Sequence, residues 1–174
     1  MKTLELANDI LKSIQFTIDA HMYNPKTEKD TVRFWDMETP YIIHPTWCAM
    51  TILTETTLPK EIRLNGYKVL LWHDVLEDTK LELPKDTPSD IAMLVKEMTF
   101  ESFKKELKGI WLKEPQIRLL KLYDKVSNLL DGEWMNDEKW NEYVHFTSDL
   151  AQDTQANYGQ LNIVKFANAI CNSR

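Results

Sequence analysis

Three stretches of the sequence hold side chains able to bind a cation and move a proton. The densest is His73-Asp74-Val75-Leu76-Glu77-Asp78-Thr79, with one imidazole and three carboxylates. Neighbours on a helix differ in direction by about 100°. Imidazole and carboxylate also differ in reach, so His73 and Asp74 can close on one ion beside the helix. Glu77 and Asp78 each follow one of them by four residues and share its face, one turn along. Left unpaired, such a patch repels itself, and a divalent cation removes the conflict. The plain alternative is a solvated acidic helix end.

His44 precedes Pro45, where a helix can start, so its backbone is fixed and its side chain aimed. Asp124 sits in the otherwise apolar stretch 117–130. A buried aspartate needs a partner, and either a cation or a neighbouring lysine, Lys121 or Lys125, could serve. Singly, each residue has an ordinary structural explanation. Together His44, His73, Asp74 and Asp124 supply two nitrogens and two oxygens, a mixed set for one borderline divalent ion such as Mn²⁺. A two-metal centre needs further ligands, and the remaining histidines, His21 and His145, lie outside any motif. Trp47, Trp72 and Trp111 could stack on a base, but tryptophans at helical positions ordinarily belong to the core, and none is assigned to the site.

The elements that must position these groups read as helices. Leu4, Ala7, Leu11, Ile14 and Ile18 recur at helical spacing and predict an amphipathic first helix. A polar segment without clear pattern follows over 21–37. Helices are expected from Pro45, over about 60–76, and over 91–98 after the start signal Thr87-Pro88-Ser89-Asp90. A further one runs from Pro115 to a stop near Gly132, another follows an Asn136 cap, and a last one covers 161–170. No alternating strand stands out. Four glycines in 174 residues disfavour a phosphate loop or a dinucleotide fold. The expectation is an all-α helical bundle, one domain over 1–174.

The formal net charge of −6 argues against long nucleic acid as partner, without excluding a small anionic ligand opposite a local basic cluster. Cys48 and Cys171 read as two reduced thiols, and residues 1–20 as neither signal peptide nor membrane span. A cytoplasmic protein is expected; its oligomeric state stays open.

The order His44, His73-Asp74, distant Asp124 resembles that of the HD phosphohydrolase superfamily. Within it, His73-Asp74-Val75-Leu76-Glu77-Asp78-Thr79 resembles the HDxxEDT signature of RelA/SpoT-type ppGpp hydrolases. Thr39-Pro40-Tyr41-Ile42-Ile43-His44-Pro45 is similar to that family's TPYIxHP segment, and Lys121-Leu122-Tyr123-Asp124-Lys125-Val126-Ser127-Asn128-Leu129 to its KLADKxxNL segment. Lys96-Glu97-Met98-Thr99 fits a short element between them. The resemblance implies an HD-domain fold and a small stand-alone hydrolase that converts ppGpp and water to GDP and pyrophosphate. His44, His73, Asp74 and Asp124 would hold Mn²⁺, Glu77 and Asp78 would position and deprotonate the attacking water, and Asn128 would contact the nucleotide. Arg33 falls on the first residue of a substrate-binding Arg-Lys pair, and Lys121 could help it offset the substrate's charge. Two departures, Phe34 at the second residue of that pair and Ser127 where His or Tyr is common, read as lying on the substrate side. The alternatives are an HD-type hydrolase of another nucleotide or dNTP, and a non-catalytic nucleotide-binding module.

Overall fold

The computed structural model describes residues 3–173, and among them no sheet forms. The chain runs through α1 (Thr3–Ile18), α2 (Ile43–Leu53), α3 (Lys60–Trp72), the single turn α4 (Val75–Asp78), α5 (Ser89–Met98), α6 (Phe103–Gly109), α7 (Pro115–Leu130), α8 (Asp137–Tyr158) and α9 (Asn162–Cys171). The expected all-α bundle is the one observed. Helix α7 is its axis. Pro115 opens it, and Ile117, Leu119, Leu120, Leu122, Tyr123 and Val126 are all buried, so it packs on α2, α8 and α9 at once. The helices that will carry His44 and His73 approach closely at Gly66, where a Cβ would stand 2.5 Å from the Ile52 side chain.

Local signals behave unevenly. Asn136 caps α8 as expected, its side chain accepting from the Lys139 amide at 2.9 Å. At α5 the start is right but the cap is not: Pro88 takes that position and Thr87 Oγ1 donates to the Pro84 carbonyl instead. Gly132 does not end α7 through a left-handed backbone. It opens a 3₁₀ turn, and a Cβ there would meet the Trp140 ring at 2.5 Å, so the reason for glycine is close packing. In α1 the expected stripe is rotated: Leu4 and Leu11 are 72% and 65% exposed, while Ser13, Thr17 and Ala20 are buried. Polar anchors set this face. Thr17 Oγ1 donates to the carbonyls of Ser13 and Leu71, and Trp72 Nε1 donates to the Ser13 carbonyl.

Two departures shape the site. The helix expected over 60–76 breaks after Trp72, and His73-Asp74 form the joint before α4, with Asp74 at φ −94°, ψ −5°. The unpatterned segment 21–37 is ordered by contacts. It contains a π-helical turn (Asp19–Tyr23), a 3₁₀ turn (Glu28–Thr31) and isolated antiparallel bridges Pro25 to Thr79 and Val32 to Pro40. Lys26 Nζ donates to the Leu76 and Glu77 carbonyls at 2.9 and 2.6 Å, clamping the end of α4.

Candidate metal centre

The four expected ligands meet. His44 comes from the first turn of α2, His73 and Asp74 from the joint between α3 and α4, and Asp124 from the middle of α7, and all four are buried. The two imidazole Nε2 atoms lie 3.2 Å apart. Asp74 Oδ2 is 3.3 Å from the first and 3.1 Å from the second, and Asp124 Oδ1 is 3.5 and 3.8 Å from them. His73 and Asp74 both keep right-handed helical backbone, at φ −60°, ψ −33° and φ −94°, ψ −5°, and close on the same point through the different reach of imidazole and carboxylate.

Each of the four is oriented by a second partner. His73 Nδ1 lies 2.7 Å from the Leu70 carbonyl, which can only accept, so Nδ1 carries a proton and Nε2 is the nitrogen turned to the centre. His44 Nδ1 lies 2.8 Å from Ser127 Oγ. Ser127, read from the sequence as a departure on the substrate side, borders the cavity beside His44 and also backs that residue of the centre. Tyr41 donates from its hydroxyl to Asp74 Oδ2 at 2.6 Å and lies 3.1 Å from Asp78 Oδ2. Asn128 Nδ2 donates to Asp124 Oδ1 at 2.7 Å.

The electrostatics ask for positive charge. Burial alone would lower the His73 ring, but the Asp74 and Asp124 carboxylates outweigh it and push it up to about 10. Burial would raise Asp124, yet Lys125 and Lys121 hold it well below the usual carboxylate range. His44, His73 and Asp124 form one buried group able to hold a divalent cation, with Asp74 Oδ2 beside the two imidazoles, and such an ion would supply the charge otherwise met by a proton. Glu77 and Asp78 stand beside this cluster, half-buried. Burial pushes Glu77 up to about 7, with Lys121 pulling it down and Asp74 raising it again. Asp78 is pushed up to about 7 by burial and by Asp74 and Asp30. Glu77 Oε1 also accepts from the Phe100 amide at 2.8 Å.

Two openings flank the centre. A cavity of about 290 Å³ is bounded by Arg33, Trp35, Ile43, His44, Trp47 and Asp131 among others. A cleft of about 510 Å³ has Lys26, Glu77, Asp78, Phe100 and Glu106 on its walls. Arg33 is buried, and its Nε lies 2.7 Å from Asp131 Oδ2. Phe34 packs its ring on Trp134 at 4.9 Å. Lys121 is buried against Asp124 and Glu106, at 3.1 and 3.7 Å, so its ammonium is engaged inside the protein rather than presented to a ligand.

Sequence reasoning missed several of these residues. Trp35 and Trp47 border the cavity, whereas Trp72 is core and Trp111 packs on Phe146. Asp131 follows Asp124 by seven residues, two turns along α7, and that period was its signal. His21 is buried with both ring nitrogens unpartnered, its ring 4.8 Å from that of Tyr41. His145 is exposed and bonded to the Asn141 carbonyl. Among the described residues no helix is long and apolar enough to cross a membrane.

A sheetless bundle that closes a histidine, a His-Asp pair and a distant aspartate on one buried point has the HD-type fold. Among solved structures it is similar to a metazoan ortholog of SpoT, described as hydrolysing ppGpp and playing a role in starvation responses, with a TM-score of 0.68 and 20% identity over 92% of each chain. No family model matches the sequence, and no curated protein matches it.

Proposed function

We propose that the chain is a single-metal phosphohydrolase that cleaves ppGpp to GDP and pyrophosphate. One observation carries this reading: the imidazoles of His44 and His73 and the Asp124 carboxylate meet at a buried point beside Asp74, with His44 on the wall of an aromatic cavity and Glu77 and Asp78 on the wall of a second cleft. The likeness to a protein described as hydrolysing ppGpp supports the choice of substrate.

His44, His73, Asp74 and Asp124 would hold one divalent cation, and their mixed nitrogen and oxygen donors suit Mn²⁺. Such an ion supplies Lewis acidity toward a phosphoryl oxygen and lowers the pKa of its water by several units. The chain's own groups then divide the work. In-line displacement needs the nucleophile and the leaving group on opposite sides of phosphorus. The Glu77 and Asp78 side is where water enters, and the cavity side is where the nucleoside lies. Both carboxyls are pushed up to about 7. Either can therefore take a proton from water near neutral pH. The 3′-oxygen–phosphorus bond breaks, the water oxygen stays on pyrophosphate, and the proton returns to the 3′-oxygen of GDP.

On the nucleotide side, Trp35 and Trp47 offer faces to a base. Arg33, held by Asp131, would give the wall a fixed guanidinium, and Asn128, which donates to Asp124, would bond a phosphate oxygen. Lys121 acts through Asp124 and Glu77 instead of by touching substrate.

One observation favours a second reading, an HD-type hydrolase of another nucleotide: Phe34 brings an aromatic ring where the RelA/SpoT-type pattern has a lysine. A panel of ppGpp, GTP and dNTPs with Mn²⁺, followed by released pyrophosphate, phosphate and triphosphate, tests both. Pyrophosphate from ppGpp alone is the expected result. Triphosphate from a dNTP with ppGpp untouched would overturn the first reading and establish the second.

A further inference from the structure

Asp124 presents its two oxygens in two directions. Oδ1 faces the imidazoles of His44 and His73 and accepts from Asn128. Oδ2 is shared by two ammonium groups, Lys121 and Lys125, each at 3.1 Å. Both lysines are almost fully buried, 2% and 4% exposed, which is rare for lysine unless it is paired. Their other partner is Glu106, 5% exposed, whose carboxylate lies 2.8 Å from Lys125 and 3.7 Å from Lys121. Aromatic rings pack over the group: Phe100 lies 5.6 Å from the Lys121 ammonium, and Phe103 and Tyr143 lie 5.3 and 5.7 Å from that of Lys125.

Two positive and two negative charges thus sit together, almost fully buried beside the cleft, with Glu77 acting on Lys121 from farther off. The balance matters at the centre, because the lysines and a cation on the imidazole side draw on the same carboxylate. Without Glu106, the lysine charges behind Asp124 would lose their nearest other counter-charge, Glu77 acting only on Lys121 and more weakly. In a low-dielectric interior such an excess of positive charge is felt far more strongly than on the surface.

We infer that Glu106 is a positioning residue that sets the cation affinity of the centre, by cancelling one of the two lysine charges behind Asp124. The inference rests on the reading of Asp124 as a cation ligand. Partners one shell out from a metal commonly change its affinity about 10- to 100-fold, and here the sign follows from charge. Removing the glutamate weakens binding, and removing a lysine strengthens it. A packing defect would weaken binding in both cases.

The test is Mn²⁺ binding to the full chain, free of nucleotide, followed by the electron paramagnetic resonance of free Mn²⁺ and by calorimetry. Glu106→Gln is expected to weaken binding about 10- to 100-fold. Glu106→Asp keeps the charge and should restore most of the affinity. Lys121→Met should bind Mn²⁺ more tightly than the parent, and this arm stands even if Glu106→Gln does not fold. Unchanged affinity in folded Glu106→Gln, or weaker binding in Lys121→Met, would overturn the inference. Asp124→Asn separates the two layers: if it binds Mn²⁺ as the parent does, the ligand reading itself has failed, whatever Glu106 does.

Discussion

The centre and the cavity beside it share His44 yet are held in different ways. At the centre every side chain has a second partner: Ser127 for His44, the Leu70 carbonyl for His73, Tyr41 for Asp74, and Asn128 with two lysines for Asp124. The far wall of the cavity is looser. Trp35 is 54% exposed, and Ile43 and Leu130 are about half exposed. Trp35 stands in a turn fixed from its base, where Asp36 accepts from the Glu38 and Thr39 amides and from the Thr39 hydroxyl. Groups that do bond chemistry must be aimed to within fractions of an ångström, whereas an aromatic face tolerates displacement. Substitutions in the two regions should therefore fail differently.

The largest effect is expected at the joint. His73→Ala removes a nitrogen that no neighbour can replace, because the break between α3 and α4 aims only His73 and Asp74 at that point. With Mn²⁺ saturating, turnover should fall about a thousandfold or more, about 4 kcal/mol of transition-state stabilisation. The variant should still melt cooperatively. A folded variant that keeps most of its turnover would leave the proposed centre without its role.

How far each region was legible follows from the same contrast. The order and spacing of the motifs named the residues of the centre: His44 in α2, His73-Asp74 just past α3, and Asp124 in α7. The break at Asp74 was not legible, because no Pro or Gly marks it and the apolar pattern runs on through Leu76. The short helix α6, and with it Glu106, escaped because seven residues carry little periodicity. The Ser102 cap on the Lys105 amide was the available sign. Trp35 lies in a loop, where side-chain direction has no period to read. Ser127 lines the cavity and also backs His44, a second contact that was not legible because a spacing says which residues share a helix face, not which neighbour that face meets.

A second test probes the packing beneath the centre. His21 is 1% exposed and lacks hydrogen-bond partners. Burial lowers its ring to about 4, with Asp74 opposing and the charges of His73 and His44 adding. The unfolded chain binds that proton near pH 6.5, so the folded state is favoured fully above 6.5 and loses the contribution as pH falls toward 4. The loss is on the order of 2–3 kcal/mol. His21→Phe keeps a ring against Tyr41 and removes the titration. Unfolding by urea at pH 7.5 and 4.5 should show the parent losing more stability than the variant across this interval. Equal losses would mean that His21 is already solvated or paired in the folded protein.

The smallest effect is expected at Trp35. A ring that stacks on a base contributes about 1–2 kcal/mol, and the energy belongs to ground state and transition state alike, because the base does not change during phosphoryl transfer. Such uniform binding appears in KM and leaves kcat nearly untouched. Trp35→Ala should thus raise KM for the nucleotide about 5- to 30-fold, keep kcat within about twofold, and leave Mn²⁺ affinity as in the parent. Trp47→Ala tests the same wall less cleanly, since Trp47 also packs on Phe166 at 6.1 Å and its loss would disturb α9. Should Trp35→Ala instead depress kcat at unchanged KM, the exposed wall would be taking part in the transition state, and the division between a rigid centre and a tolerant cavity would have to be redrawn around that residue.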